Sequence, residues 1–467
     1  MEILTAIKSA VDTLGATVLL PVIIFFFAWI LGAKPGKAFR AGVTIGVAFI
    51  GINLVIGLMW TSLSDVAQAI VTNTGIHRDV VDVGWPSAAS IAFGSSVGLW
   101  VIPLAILVNV IMLFTKLTKT LNVDIWNFWH FAFIGSLVVV VTNNIVYGLI
   151  AAAIAAALAL FLADWTAKAV QHFYGLPGIS IPHLTSAPMV PIAIAVNWVI
   201  DRIPGVRDIN WDTEHIEKRF GVFGEPVVLG LIIGLALGVI GFYNADDALT
   251  KILKTGMNLA AVMVLLPAMV KILMEGLIPV SEAAREFMQK RAGGEEMDIG
   301  LDSAILIGHP AAISSALILV PIAILLSIIL PGNRVILFAD LAVIPFVVAM
   351  AVPLMRGNVF RVVIAGTVAL GFGFYIATAM APLFTDAARA SGFAIPENAV
   401  QITSIADGFM WPPALTVGLV KYLGGPLGLL IALALLAVAM FFYMRHRTAW
   451  EVAAGAPKPE PETEAVA

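Results

Sequence analysis

The chain has 467 residues, 60% of them hydrophobic and only 12% charged, with a net charge of −4 and no cysteine. A soluble domain carries roughly 25% charged residues, so this composition excludes an ordinary globular protein and points to a polytopic membrane protein. Without cysteine there is no disulfide, thiolate metal site or cysteine nucleophile on this chain, and the mild negative balance argues against a nucleic-acid partner.

Most stretches free of Lys, Arg, Asp and Glu run for about 17–25 residues, the length that crosses a bilayer core. In chain order, spans are predicted at 14–32, 38–60, 99–115, 126–143, 146–164, 225–243, 257–277, 312–331, 335–355, 359–382 and 413–443. The first follows Glu2, Lys8 and Asp12 without a small-residue cleavage signature, so it reads as a span and not a signal peptide.

Lys and Arg gather on cytoplasmic loops. They follow every odd-numbered span: Lys34, Lys37 and Arg40; Lys116 and Lys119; Lys168, Arg202, Arg207, Lys218 and Arg219; Arg285, Lys290 and Arg291; Arg356 and Arg361; Arg445 and Arg447. This places the N-terminus outside and the C-terminus inside. The opposite loops 61–84 and 383–411 are acidic, with Asp65, Asp79 and Asp82 in one and Asp386, Glu397 and Asp407 in the other, while 244–256 is balanced. The cytoplasmic stretch 165–224 holds an apolar run at 187–200 that is too short to span and is expected to pack under the bundle or at the interface. The tail 448–467, rich in Pro, Glu and Ala, is expected to be disordered.

Two stretches repeat one device. Asp82-Val-Gly84-Trp85-Pro86-Ser87 leads through small residues into Pro103-Leu-Ala-Ile-Leu; Asp302 through Gly308-His309-Pro310 leads through small residues into Pro321-Ile-Ala-Ile-Leu. Gly/Pro-broken backbone at membrane depth survives only inside protein or beside water, because hydrocarbon offers no hydrogen bonds. The charge pattern runs the two following helices in opposite directions. The segments near 85–98 and 302–312 therefore read as inverted re-entrant hairpins, the best sequence pointer to a transporter's site.

Ionisable residues near spans are functional candidates. Asp124 can cap the span after it, whereas His130 lies two helical turns further in. Trp126 and Trp129 suit either an interfacial belt or a platform for a sugar-like ligand. Glu225 precedes Pro226 at a helix start, where a carboxylate suits the dipole, yet Gly224 gives it freedom to turn into a cavity. Asp302 can cap the second hairpin and His309 marks its tip. Asp340 lies inside a span and needs a partner or a polar cavity, since an unpaired carboxylate there costs several kcal/mol. His183 alone reads as a loop residue. Carboxylates, imidazoles, Asn and Trp without a fixed cation suit a neutral polyhydroxylated solute, whereas a sugar phosphate wants Arg or Lys. No nucleotide, metal or cofactor motif is present.

Val81-Asp-Val-Gly-Trp-Pro86, Asn122-Val-Asp-Ile-Trp-Asn127 with Trp129-His130, Ile181-Pro-His183, Phe223-Gly-Glu-Pro226, Gly300-Leu-Asp302 with Gly308-His309, and Pro331-Gly-Asn333 through Phe338-Ala-Asp340 form a set. It resembles the galactitol-type membrane component, enzyme IIC, of the bacterial phosphoenolpyruvate-dependent sugar phosphotransferase system, which belongs with the ascorbate transporters of that system. The resemblance covers about 14–447.

It implies an all-α membrane protein of eleven spans and two inverted hairpins in the bacterial inner membrane, one membrane unit over 1–447. A substrate-holding core and a V-shaped dimerisation domain would make a homodimer that moves by an elevator mechanism. The substrate would be a sugar alcohol, most simply galactitol, held by Trp85, Asn127, His130, His183, Glu225, Asp302, His309 and Asp340, with no cofactor or metal. A phosphocysteine on a separate IIB protein, charged through IIA, would phosphorylate it, with Glu225, His130 or His183 taking the hydroxyl proton. The competing reading is a proton- or sodium-coupled polyol carrier without phosphorylation, in which Asp340 and Asp302 are coupling groups.

Overall fold

The structure is a computed structural model that describes residues 21–22, 25–26, 28–30, 32–74, 79–211, 225–289, 297–337, 339–393, 395 and 401–458. The expected first span, 14–32, falls largely outside them. Among the described residues the protein is mostly helical. Four helices are long and apolar enough to cross a bilayer, namely 145–174, 310–329, 359–390 and 425–445, and a bent pair makes a fifth candidate.

Three helices form one bundle: α1 (Pro35–Thr74), α7 (Pro226–Phe242) and α8 (Ala248–Gln289) pack chiefly on one another. Asn73 Nδ2 ties the end of α1 to the Gly241 carbonyl at 2.6 Å. These helices outrun the hydrophobic stretches that announced them. The loop expected from 61 begins only after Thr74, and the one expected at 244–256 shrinks to a turn because α8 starts at Ala248. Charged residues on a helix that leaves the apolar layer need not end it, since its backbone bonds are already made within the helix.

The remaining elements are wound around two small parallel sheets. In the first half β1 (Val80–Asp82) leads into α2 (Trp85–Gly94) and α3 (Gly98–Phe114). β2 (Thr120–Asn122) leads through a 3-10 turn at Trp126–Phe128 into α4 (Trp129–Thr142) and then α5 (Ile145–Tyr174). β3 (Ile179–Ser180) leads into α6 (Met189–Ile200).

The second half repeats the order. β4 (Asp298–Gly300) leads through a 3-10 turn at Ser303–Ile305 into α9 (Pro310–Ile329). β5 (Val335–Ile336) leads through 3-10 backbone at Ala339–Val343 into α10 (Ile344–Ala349) and α11 (Val359–Ala390). β6 (Gln401–Thr403) leads through α12 (Ile405–Phe409) into α13 (Trp411–Leu423), α14 (Gly425–Arg445) and α15 (Arg447–Ala453).

The halves exchange strands. One sheet has the order β5-β1-β6 and the other β2-β4-β3, all pairs parallel. Each half's first strand thus lies between the second and third strands of the other half. α3 runs from the first sheet toward the second, and α9 runs from the second toward the first, so their directions are opposed. The strands are only two or three residues long, and backbone pairing across halves satisfies N–H and C=O groups that the breaks leave open.

α2 and α3 meet at 92°. Gly98 sits so tightly against the carbonyls of Ala92 and Phe93 that any side chain there would collide. At the rim of the first sheet Asp79 accepts from the Arg334 guanidinium, and this bond holds the Asp79 carboxyl below its ordinary range.

Two expectations about the C-terminal part change. The span predicted at 413–443 is two helices: Gly424, at φ 89°, turns the chain, and Gly428 packs on Val420 as α14 folds back along α13. The apolar run at 187–200 is α6, packed on α11. The tail expected to be disordered from 448 is helical through Ala453. Glu451 is buried there, accepting from Arg447 at 2.8 Å and pairing with Lys168 at 2.7 Å, and Trp450 packs on Trp165. Residues 459–467 lie outside the described residues.

Candidate functional site

β1 ends on a buried aspartate, Asp82, and each of the other five strands ends a few residues before a polar side chain. At the β2-β4-β3 sheet, three such segments converge. Asn122 Oδ1 accepts from the Asp124 backbone N–H at 3.1 Å and shapes the turn after β2. Asn127 Nδ2 then donates to Asp124 Oδ2 at 2.5 Å and to Asp302 Oδ2 at 2.9 Å. Asp302 also caps its 3-10 turn, with Oδ1 accepting from the Ala304 N–H at 2.8 Å. The capping role anticipated for Asp302 is therefore real, and its second oxygen remains directed at Asn127.

The imidazoles complete the cluster. His183 Nε2 lies 3.9 Å from Asp302 Oδ1, and its Nδ1 is 3.0 Å from Ser186 Oγ, which reaches Ser303 Oγ at 2.9 Å. His130 Nε2 is 3.0 Å from Thr185 Oγ1, and its ring meets that of His183 edge to face with centroids 4.8 Å apart. Asn127, His130 and His183 are all buried, at 3%, 0% and 6% exposure. Aromatic surface flanks the polar groups. Trp85 meets Trp126 edge-on at 6.2 Å, Phe93 lies against Trp126, and Phe346 stacks on His183 at 6.2 Å.

Two carboxylates sharing one amide donor are rich in acceptor capacity. Their unused lone pairs, the facing imidazoles and the indole faces match a ligand that brings several hydroxyl donors on a short carbon chain. Among the described residues no Lys or Arg takes part in this network, and no group of three or more His, Asp or Glu side chains is arranged to hold a metal ion.

Asp340 lies apart, at the β5-β1-β6 sheet. It is fully buried, and its partners are peptide N–H groups and a hydroxyl: Trp85 N at 2.7 Å, Ser404 Oγ at 2.5 Å and Ala406 N at 3.0 Å. Asp82 answers by accepting from Asp340 N at 2.9 Å and from Gly84 N at 3.1 Å. The partners that the sequence demanded for Asp340 are therefore backbone N–H groups and a hydroxyl, and their effect is to fix the loop that presents Trp85.

Two further sequence candidates fall outside the cluster. His309 caps α9, its Nδ1 accepting from Ala311 N at 3.1 Å, and its ring packs on Phe173 and Tyr174. Glu225 is exposed at the start of α7 in the other bundle and caps nothing with its side chain. Conversely, Asp124, Thr185, Ser186 and Ser303 were not picked out as site residues by sequence. The signal available was positional: Asn122-Val-Asp124, Gly300-Leu-Asp302 and Ala339-Asp340 all place an aspartate just past a short strand.

Comparison with known proteins bears out the resemblance. Over 379 residues the chain is 45% identical to the galactitol-specific EIIC component of the PTS system of Escherichia coli (strain K12), covering 81% of this chain and 83% of that protein. A galactitol-specific EIIC component of Escherichia coli O157:H7 matches equally. A permease IIC component of Escherichia coli (strain K12) is 38% identical over 436 residues, or 93% of this chain and 98% of that one. Residues 11–398 match the EIIC-GAT family, so the chain belongs to the sugar-specific permease components of the phosphotransferase system.

Proposed function

We propose that this protein carries galactitol across the bacterial inner membrane and presents it for phosphorylation by a separate IIB protein. The observation that carries the substrate reading is the Asp124–Asn127–Asp302 bridge with His183 beside it, a largely buried set of acceptors with no cation among the described residues. Galactitol supplies hydroxyls at every carbon, and the similarity to galactitol-specific EIIC components supports that choice among polyols.

In this reading the membrane unit has eleven spans, with the N-terminus outside and the C-terminus cytoplasmic, an orientation that the basic loops support. The strand-exchanged halves are the core that holds substrate; α2 and the segment at 302–312 are its inverted re-entrant hairpins. The bundle of α1, α7 and α8 makes the homodimer contact, and the core slides against it in an elevator step. IIB, recharged by IIA, docks at the cytoplasmic face.

The chemistry then needs a hydroxyl, a donor and a base. The substrate oxygen forms a bond to phosphorus as the bond from the IIB cysteine sulfur breaks, and the thiolate stays on IIB. His183 Nε2 is placed to take the hydroxyl proton. When Ser186 gives its single proton to Ser303, it accepts from His183 Nδ1–H, and Nε2 is left as a lone pair facing the gap beside Asp302. Glu225, an earlier candidate for this role, lies outside that network.

Calorimetric titration of purified protein with galactitol tests the site. Wild type binds, and Asp302→Ala binds at least about tenfold more weakly, the loss expected for hydrogen bonds to a charged group. Equal affinity in both would move the site elsewhere.

A further inference from the structure

Asp407 differs from every other carboxylate at the two sheets. It is 1% exposed, and neither of its oxygens has a hydrogen-bond partner among the described residues. Its neighbours Asp82 and Asp340 are equally buried, but their oxygens accept from the N–H groups of Gly84, Ile405, Asp340, Trp85 and Ala406 and from the Ser404 hydroxyl. Those two have their oxygens met by fixed donors. Asp407 has no such support.

Among the described residues, the elements packed against α12 bring nothing to neutralise it. α2 carries no ionisable side chain. α11 offers only Tyr375 in the facing stretch, and that hydroxyl donates to Pro331 O from an exposed position. On α13, Lys421 and Tyr422 sit at the far end of the helix beside each other. The 3-10 segment contributes Asp340 and the β1 loop Asp82, both of the same sign. Among the described residues no group of three or more His, Asp or Glu side chains is arranged to hold a metal ion here.

A carboxylate withdrawn from water and given neither donors nor a counter-charge sheds its charge by binding a proton. We propose that Asp407 is a proton-binding site of this carrier, held as a neutral carboxylic acid in this conformation. Its location gives the proton a route to influence. Ala406 N, one peptide before Asp407, donates to Asp340, and Asp340 holds Trp85 N. A movement that opens this knot exposes Asp407 to water and lets the proton leave. The proposal stands on the β6–α12 segment alone and is independent of whether the solute is phosphorylated.

Infrared spectroscopy of the full chain in lipid nanodiscs tests it, comparing wild type with Asp407→Asn at neutral pH. The wild-type-minus-variant spectrum is expected to show the C=O stretch of a protonated carboxyl, shifted in deuterated water, and no carboxylate bands. Antisymmetric and symmetric carboxylate stretches in that difference would overturn the proposal. Asn is also the neutral isostere of the protonated acid, so the variant should melt within a few degrees of wild type. An Asp407→Asn chain that fails to fold, while Asp407→Glu folds, would equally contradict it.

Discussion

Asn127 Nδ2 donates to Asp302 Oδ2 across 2.9 Å, joining residues 175 apart in sequence and from opposite halves of the molecule. The same amide reaches Asp124 at 2.5 Å. One neutral side chain therefore keeps a buried carboxylate, Asp124, and a partly buried one, Asp302, in a single site. Asn127→Asp removes the donor and adds a third negative group. Galactitol affinity should fall by about 10–100-fold, following from about 1.5–3 kcal/mol for a hydrogen bond to a charged group. Calorimetric titration of the purified variant checks this, and unchanged affinity would separate the bridge from the ligand.

Ser186 is a positioning residue, because it meets His183 at Nδ1 and leaves Nε2 toward Asp302. Ser186→Ala should leave galactitol affinity within about threefold while slowing IIB-dependent phosphorylation on the order of tenfold, part of the ~10²–10⁴ a positioned base supplies. The pH profile of kcat should shift as well, which simple loss of packing would not produce. Ser186→Thr, which keeps a hydroxyl, should restore part of the rate.

Asp340 holds three loops together through Trp85 N, Ser404 Oγ and Ala406 N. Asp340→Asn keeps one acceptor oxygen and turns an NH₂ group toward a donor that needs an acceptor. It should cost about 1–3 kcal/mol of stability, the penalty of an unsatisfied buried polar group. Thermal melting in detergent reads the loss. Weakened galactitol binding through a displaced Trp85 should accompany it.

The Asp79–Arg334 pair makes a pH prediction. Asp79 has its folded-state ionisation lowered by the Arg334 guanidinium, so its stabilisation is present above the unfolded value of about 3.9 and is lost as pH falls through the lower folded value. Both side chains are partly exposed, at 41% and 38%, which keeps the effect below about 1 kcal/mol. Between pH 5 and 3 the melting temperature of wild type should fall slightly more than that of Asp79→Asn. An equal fall would mean the pair adds nothing.

Much of this architecture could be read from the chain because hydrocarbon punishes irregular backbone. The Gly84-Trp85-Pro86 and Gly308-His309-Pro310 breaks stood out against long apolar helices, and the basic residues after alternate spans gave the opposed directions of α3 and α9. The strand exchange was not legible. Strands of two or three residues such as Ile179–Ser180 have no periodicity to detect, and their pairing partners lie in the other half of the chain. For the same reason the cluster proposed as the site is legible only in part. Asn127, His130, His183 and Asp302 are proposed from type and position, and the structure brings these four together. Asp124 suits a cap as well as a functional role, and Ser186 and Ser303 are small polar residues whose weight comes only from what they touch. Glu225 and His309 had the right chemistry at helix starts, where a capping or dipole role suffices.

The central claim is that galactitol held at the Asn127–Asp302–His183 site is phosphorylated as it is carried. Proteoliposomes containing this protein, with IIB, the remaining phosphotransfer proteins and phosphoenolpyruvate inside, test it with labelled galactitol outside. Galactitol phosphate should accumulate within, only when IIB is present, and Asp302→Ala should abolish accumulation. Free galactitol gathering on an imposed proton or sodium gradient without IIB would contradict the account.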